Sequence, residues 1–322
     1  MTMDYSSFFN KLTMKRRPSP LWELHDSLNI DASYVLMASG MPNPDVFPLK
    51  SMELTLPEGT KVEIGQRDLH IGLQYQSTRG LAELITFITS LVKRLHDPPT
   101  WNIPGCSGAH CITTSCGAQD GLYKTLELLL EDGDIILSEE FTYPSMIGTS
   151  RPFGADVQTV RTDKHGIVPE SLEALLSQWP KPEPGKLTAG KVKPLTQSFL
   201  SLDTEGRVIR LDTFSKTMAP GFRLGFATIP RPLYQKFNLS AQVSTQGSSS
   251  LSQRLTDSSP LIMERLLNRK LLIVAGSEFS KENGVQSPYA RIAFSLASDE
   301  QMEKGFAIIA EELKKIHDEK TD

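Results

Sequence analysis

The sequence is poor in the features that would define a protein from composition alone. Only three cysteines occur in 322 residues. Cys106, Cys111 and Cys116 fall five residues apart, which is neither the Cys-x-x-Cys spacing of a zinc site nor an even-numbered disulfide framework. No metal centre is therefore expected, and the thiols read as reduced, structural groups of an intracellular protein. No apolar run approaches the roughly 20 residues that cross a bilayer. A basic excess is missing as well: 34 Lys and Arg stand against 38 Asp and Glu, a formal net charge of -4, which argues against a nucleic-acid footprint. No internal repeat is present. What these absences leave is a soluble globular chain, 39% hydrophobic and long enough for one large domain or two smaller ones. Its expected partner is a small molecule, with neither nucleic acid nor membrane involved.

Helical and strand patterns alternate along the chain, which points to an α/β fold with a mostly parallel sheet. Residues 80 to 95 place Leu81, Leu84, Ile85, Ile88, Leu91, Val92 and Leu95 on one helical face. "CITTS" then reads as a short strand, 118 to 130 as a helix with Leu122, Leu126, Leu129 and Leu130 inward, and "DIILSE" as a second strand. A strand in "DVQTVRT" and a helix over "PESLEALLSQW" follow, then a Pro/Gly/Lys-rich exposed loop at 180 to 195. Near the C-terminus Ser298 and Gln301 make a capping box for a helix striped with Met302, Phe306, Ile309, Leu313 and Ile316.

The chemistry concentrates in "TFSKTMAPGFRLGF", Thr213 to Phe226. A lysine at a tight turn is usually a solvated surface residue. Here "RVIRLDT" before it and "RLGFAT" after the Pro220-Gly221 turn both read as buried strands, so Lys216 is expected where two strands meet. Apolar walls and a second cation, Arg223, would disfavour its protonated form and make it an amine nucleophile suited to Schiff-base chemistry. Thr213, Ser215 and Arg223 would bring two hydroxyls and a guanidinium to a dianionic group, most simply a phosphate. Upstream, "SCGAQDG" joins a strand to a helix, so the amides of Gly117, Ala118 and Gln119 open an anion site at a helix N-terminus. Taken singly, such a glycine more often only eases the turn.

The lysine segment resembles the motif of fold-type I aminotransferases that depend on pyridoxal phosphate. "ASGMPNPDVFPL" (38 to 49), "LQYQSTRGLAEL" (73 to 84), "TSCGAQDGLYK" (114 to 124) and "SPYARIAFSLASDEQM" (287 to 302) narrow the likeness, in order, to the 2-aminoadipate/kynurenine and aromatic-amino-acid aminotransferases. The resemblance implies an aspartate-aminotransferase-like large domain with a mostly parallel sheet and a reduced C-terminal small domain. Its boundaries would be 1–60 for an N-terminal arm, 61–250 for the large domain and 251–322 for the remnant. It also implies pyridoxal phosphate bound at Lys216, with the phosphate on the turn at Gly117, Ala118 and Gln119. There the family often has a hydroxyl where this chain has Ala118, so the backbone carries more of the binding.

By the same resemblance Tyr143 stacks on the pyridine ring, although a tyrosine packed in the interior for its area is the alternative. Tyr75 reaches the phosphate of a neighbouring subunit, which implies a homodimer with shared sites. Arg291 clamps the substrate α-carboxylate, against the plainer reading of a strand arginine in a solvated or structural ion pair. Gly40 lets the backbone approach the substrate, or is an ordinary turn glycine. The first 22 residues, with Lys11, Lys15, Arg16 and Arg17 against Asp4, resemble a mitochondrial targeting peptide; "RRPSPLWEL" also resembles the family's ordered arm, which favours the mature protein and a cytoplasmic location over a mitochondrial one.

Two departures stand out. The family's carboxylate for the pyridine nitrogen, its N-P-x-G motif and a tyrosine for the phenolic oxygen have no match between Trp179 and Lys216, where the acids are Glu183, Asp203, Glu205 and Asp212. "KVKPL" runs directly into "TQSFLSLDTEG", so a block is expected to be missing after Leu195. A second is expected near "STQGSSSLSQRLTDSSPLIMERLL". A spliced isoform, a faulty gene model and a decayed copy all produce such gaps. The functional readings are an aminotransferase acting on aromatic amino acids, kynurenine or 2-aminoadipate with a 2-oxo acid such as 2-oxoglutarate, a non-catalytic relative, and a fold-type I decarboxylase or racemase.

Overall fold

The computed structural model describes residues 3–20, 40–56, 59–164, 166–178 and 198–257, the backbone at 274–275 and 290–291, and positions 300, 303 and 307. The loop at 180 to 195, the capping box at Ser298 and Gln301, and the apolar stripe that follows it lie outside the described residues. In chain order the elements are α1 (Lys11–Lys15), β1 (Met52–Thr55), β2 (Lys61–Ile64), α2 (Gln66–Leu73), α3 (Ala82–His96), β3 (His110–Ser115), α4 (Ala118–Leu129), β4 (Ile135–Glu139), α5 (Pro144–Ser150), β5 (Asp156–Val160), β6 (Thr162–Asp163), β7 (Gly166–Ile167), α6 (Pro169–Ser177), α7 (Phe199–Leu202), β8 (Arg210–Thr213), β9 (Gly225–Pro230), α8 (Arg231–Val243), α9 (Ser250–Asp257), β10 (Val274–Ala275) and β11 (Ala290–Arg291).

The central sheet has the order β3-β9-β8, with β9 antiparallel to both neighbours. β3 and β8 therefore run in the same direction, and the reversed strand lies between them. β4 and β5 form a separate parallel ladder. The parallel sheet expected from the alternating pattern is thus represented, among the described residues, by this one ladder. The periodicity of a strand reports burial and says nothing of which neighbour it pairs with. Among the described residues neither β8 on its outer edge nor β4 opposite β5 has a ladder partner.

β9 is buried at all six positions because both faces of the sheet are covered. Successive side chains of a strand point to opposite faces. Leu224 and Phe226 accordingly join Leu84, Ile88 and Val92 of α3, with Ile112, Leu200 and Phe214. Ala227 and Ile229 join Leu128 of α4 and Leu233 and Phe237 of α8 on the other side. The stripe on α3 is narrower than its sequence suggests: Leu84, Ile88 and Val92 are buried, whereas Leu95 is 62% exposed. On α4 the enclosed positions are Gly121, Lys124 and Leu128, with Leu122, Leu126 and Leu129 only half-buried. A lysine there is the largest surprise of the core.

The N-terminal segment packs as part of this body. Asn10 Nδ2 donates to the carbonyls of Glu127 and Leu130 at 2.7 and 2.8 Å, which satisfies the C-terminal end of α4, and Arg16 pairs with Glu127 at 2.9 Å. α9 lies against α2 and α3: Leu251 meets Gly72, Arg254 pairs with Asp68, and the Leu81 amide donates to Gln253 Oε1 at 2.8 Å.

Candidate active site

The register Ser115–Gly225–Thr213 runs straight across the three strands. Neighbouring strands lie about 4.8 Å apart, so the turn leaving β3 and the loop leaving β8 emerge side by side, roughly 10 Å across. Gly225 makes this approach possible. A Cβ there would sit 2.6 Å from the Asp212 carbonyl oxygen and 3.0 Å from Gly117, closer than any side chain tolerates.

On the β3 side, Gly117 takes φ 86° as the N-cap of α4, a left-handed conformation that suits glycine. Ser115 Oγ donates to its carbonyl at 3.0 Å. The amides of Ala118 and Gln119 fall in the first helical turn, where no intrahelical acceptor exists. Gln119 Nε2 donates to Thr149 Oγ1 at 2.9 Å, which ties this turn to α5, and Gln119 Oε1 is buried with no partner among the described residues. On the β8 side, Thr213 and Ser215 hydroxyls lie 2.8 Å apart and the Ser215 amide donates to Thr213 Oγ1 at 3.2 Å. Arg223 follows a 3-10 turn over Pro220–Phe222 and adopts φ 49°, which costs a non-glycine residue about 1–2 kcal/mol. That backbone sends its guanidinium across the gap, where it donates to the Pro220 carbonyl at 3.1 Å and the Cys116 carbonyl at 3.3 Å. Arg223 Nη2 comes within 3.1 Å of where a Gly117 Cβ would be. Arg223 thus bridges the loop after β8 to the turn after β3.

Lys216 lies in the same loop but is exposed. The apolar enclosure expected for it is not formed, because the loop lies past the last paired residues of β8 and β9, where the described fold sets no wall around it. Tyr143, N-cap of α5 after β4, is 55% exposed, which overturns its reading as an interior tyrosine packed for area. Tyr75 is 57% exposed. Gly40 has open space at its Cβ position and no positive φ, so no backbone constraint demands a glycine there. Arg291 pairs with Val274 in the short β10–β11 ladder; its side chain lies outside the described residues.

The acids near the lysine strand are committed elsewhere. Asp212 makes a bidentate pair with Arg210 at 2.8 Å for both bonds. Asp203 lies at the opposite end of the sheet. It accepts the amides of Glu205, Gly206 and Val208 at 2.8–3.0 Å and faces His110 Nε2 at 3.4 Å. Burial opposes its charge, yet the His110 ring and these amides hold the carboxyl well below its ordinary value. Asp203 is thus remote from the Lys216 end, whereas Asp212, one residue before Thr213, lies at that end with its carboxylate engaged by Arg210.

Sequence reasoning overlooked Asp120 and Lys124. Asp120 accepts the Cys116 amide at 2.9 Å and pairs with Lys124, which is 2% exposed. The signal was present as an Asp-x-x-x-Lys spacing that puts both side chains on one helical face directly after the glycine turn.

The chain has an aspartate-aminotransferase-like fold, with the glycine turn, the hydroxyls, the arginine and the lysine at one end of its sheet. No protein-family model matches the chain. It is homologous to kynurenine/aminoadipate and aromatic aminotransferases. The mitochondrial kynurenine/alpha-aminoadipate aminotransferase of Mus musculus is 28% identical, covering 97% of this chain and 99% of the mouse protein. An aromatic amino acid aminotransferase of Schizosaccharomyces pombe is 28% identical over 78% of this chain and 68% of its own length. Among solved structures, the Pyrococcus horikoshii kynurenine aminotransferase, crystallised with PMP and kynurenine, superposes with a TM-score of 0.62 over 97% of this chain and 98% of that one, at 18% identity. The mouse alignment spans 423 positions, so at least 101 of them have no counterpart in 322 residues. That shortfall agrees with internal segments being absent.

Proposed function

We propose that the chain is a pyridoxal-phosphate-dependent aminotransferase that moves an amino group from an aromatic amino acid, kynurenine or 2-aminoadipate to a 2-oxo acid such as 2-oxoglutarate. One observation carries the reading: Gly225 brings the turn at Gly117 and the loop holding Thr213, Ser215, Lys216 and Arg223 to one end of the sheet. The donor set suits a phosphate dianion, with two hydroxyls, an exposed guanidinium and first-turn amides. Pyridoxal phosphate, when bound, supplies an aldehyde for the amino nitrogen and a ring that accepts electrons as the substrate α-proton leaves. Lys216 would hold that aldehyde and, once displaced by the donor amine, carry the proton at the substrate Cα. Its exposure leaves it reachable. Tyr143, exposed at the start of the helix that Gln119 ties to the turn, would lie flat against a ring. Arg291 would orient the α-carboxylate of donor and acceptor. Tyr75, exposed on this chain, would complete the phosphate site of a second copy, making a homodimer.

The name of the mouse relative bears on the mitochondrial alternative, whereas the packing of residues 3–16 on α4 supports the arm as part of the mature fold; we favour the cytoplasm. Borohydride reduction of the protein incubated with pyridoxal phosphate, followed by peptide mapping, should place the adduct on Lys216. An adduct on another lysine would defeat the assignment. With Asp203 and Asp212 both engaged, the ring nitrogen lacks a carboxylate from either, so turnover should be far slower than in a version carrying a family-like segment after Leu195. Comparable rates would show that another acid reaches the ring.

A further inference from the structure

Lys124 is buried to 2% exposure in the middle of α4, and its described partner is Asp120 one turn earlier. Burying an ammonium is costly even when it is paired, so the position calls for a reason. Asp120 itself has two duties. Its Oδ2 accepts the Cys116 amide at 2.9 Å, fixing the residue that precedes Gly117, while Oδ1 takes Lys124. The Cys116 thiol is pushed up, first by burial and next by the charge of Asp120, with Lys124 and Arg223 acting in the opposite sense; all three charges therefore bear on this one turn. A carboxylate in the first turn suits the helix dipole. It also lies in the same first turn as the amides that would take a phosphate and reaches back to the Cys116 amide just before them, where an uncompensated negative charge repels a dianion.

We infer that Lys124 is a positioning residue: it neutralises Asp120 so that the carboxylate can clamp the Cys116 amide, and so shape the turn at Gly117–Gln119, without opposing a bound phosphate. This rests on the reading of that turn as the phosphate site.

The test compares the affinities of pyridoxal phosphate and of pyridoxal, which lacks the phosphate, for wild type, Lys124→Met and Asp120→Asn/Lys124→Met, read by absorbance titration, with thermal melts to define where each is folded. Lys124→Met should weaken pyridoxal phosphate about tenfold or more while leaving pyridoxal within about twofold. The double variant, which keeps an oxygen acceptor for the Cys116 amide and removes both charges, should recover wild-type affinity within about threefold. Inorganic phosphate should compete less well for Lys124→Met in the same proportion. A purely structural lysine would lower the melting temperature and leave the ratio between the two ligands unchanged, and that result would overturn the inference. If Lys124→Met does not fold, the folded double variant still decides: phosphate-selective binding lost there would overturn the inference as well. A wild-type chain that takes up no pyridoxal phosphate would overturn this inference together with the proposed function, whereas normal uptake with an unaffected variant would overturn the inference alone.

Discussion

The two ends of the β3-β9-β8 sheet are both polar and are built to opposite ends. At the start of β3, His110 holds Thr100 through Nδ1 at 2.6 Å, the Val208 carbonyl through Nε2 at 2.9 Å and Asp203 at 3.4 Å. Tyr5 closes the assembly from the N-terminal arm by donating to the Gly206 carbonyl at 2.8 Å, and burial, with the charge of Asp203, pushes its phenol up to about 12. Five residues further along β3, about 17 Å away, Lys216 and Arg223 are exposed. The closed end spends its polar groups on one another. The open end leaves its two cations in reach of solvent, with Arg223 held by two backbone carbonyls and paired with no carboxylate among the described residues. Charge alone does not mark a site; exposed, oriented charge does.

Disrupting the closed end should have the largest effect. Asp203→Ala strands three amides and His110, and removal of one partner from such a buried group costs about 3–5 kcal/mol, read as a fall in the urea midpoint or as failure to fold. The same group sets an acid limit. Its folded-state value is depressed below the ordinary 3.8, so its contribution is complete above that pH and is lost progressively as pH falls toward the folded value. Acid titration of wild type should show a destabilisation beginning near pH 4 that Asp203→Asn lacks.

Between the two ends, Ile88→Ala empties a position wholly enclosed by α3 and the sheet and should cost about 2–5 kcal/mol, with phosphate binding unchanged in the protein that remains folded. Calorimetry beside a ligand titration would separate the two quantities. At the open end the stability effects should shrink. Arg223→Gly exchanges a left-handed arginine for the residue best suited to φ 49°, and the relief of about 1–2 kcal/mol is set against two exposed hydrogen bonds. Its melting temperature should scarcely change while affinity for pyridoxal phosphate drops. Smallest of all, Lys216→Ala should alter stability by less than about 0.5 kcal/mol, yet abolish borohydride trapping. A large loss of folded protein on replacing Lys216 would erase the contrast between the two ends.

Much of this was readable along the chain. The periodicity of 80 to 95 located α3, "CITTS" and "DIILSE" located β3 and β4, the glycine turn located the start of α4, and the spacing of Thr213, Ser215, Lys216 and Arg223 named the donors that the fold brings together. These are local properties: helical and strand periods, the conformational freedom of one glycine and the hydrogen-bonding capacity of short side chains act within a few residues. Tertiary structure alone decided the rest. β9 pairs between β3 and β8, and Asp203 faces His110, 93 positions away in sequence; Leu95 stays in water while Lys124 is enclosed. Each of these depends on which surface another element happens to cover. Side-chain pattern states that a face is apolar or that a charge exists, but register, burial and the partner of a charge follow from contacts between segments distant in sequence, and those contacts are chosen by the energy of the whole packed body.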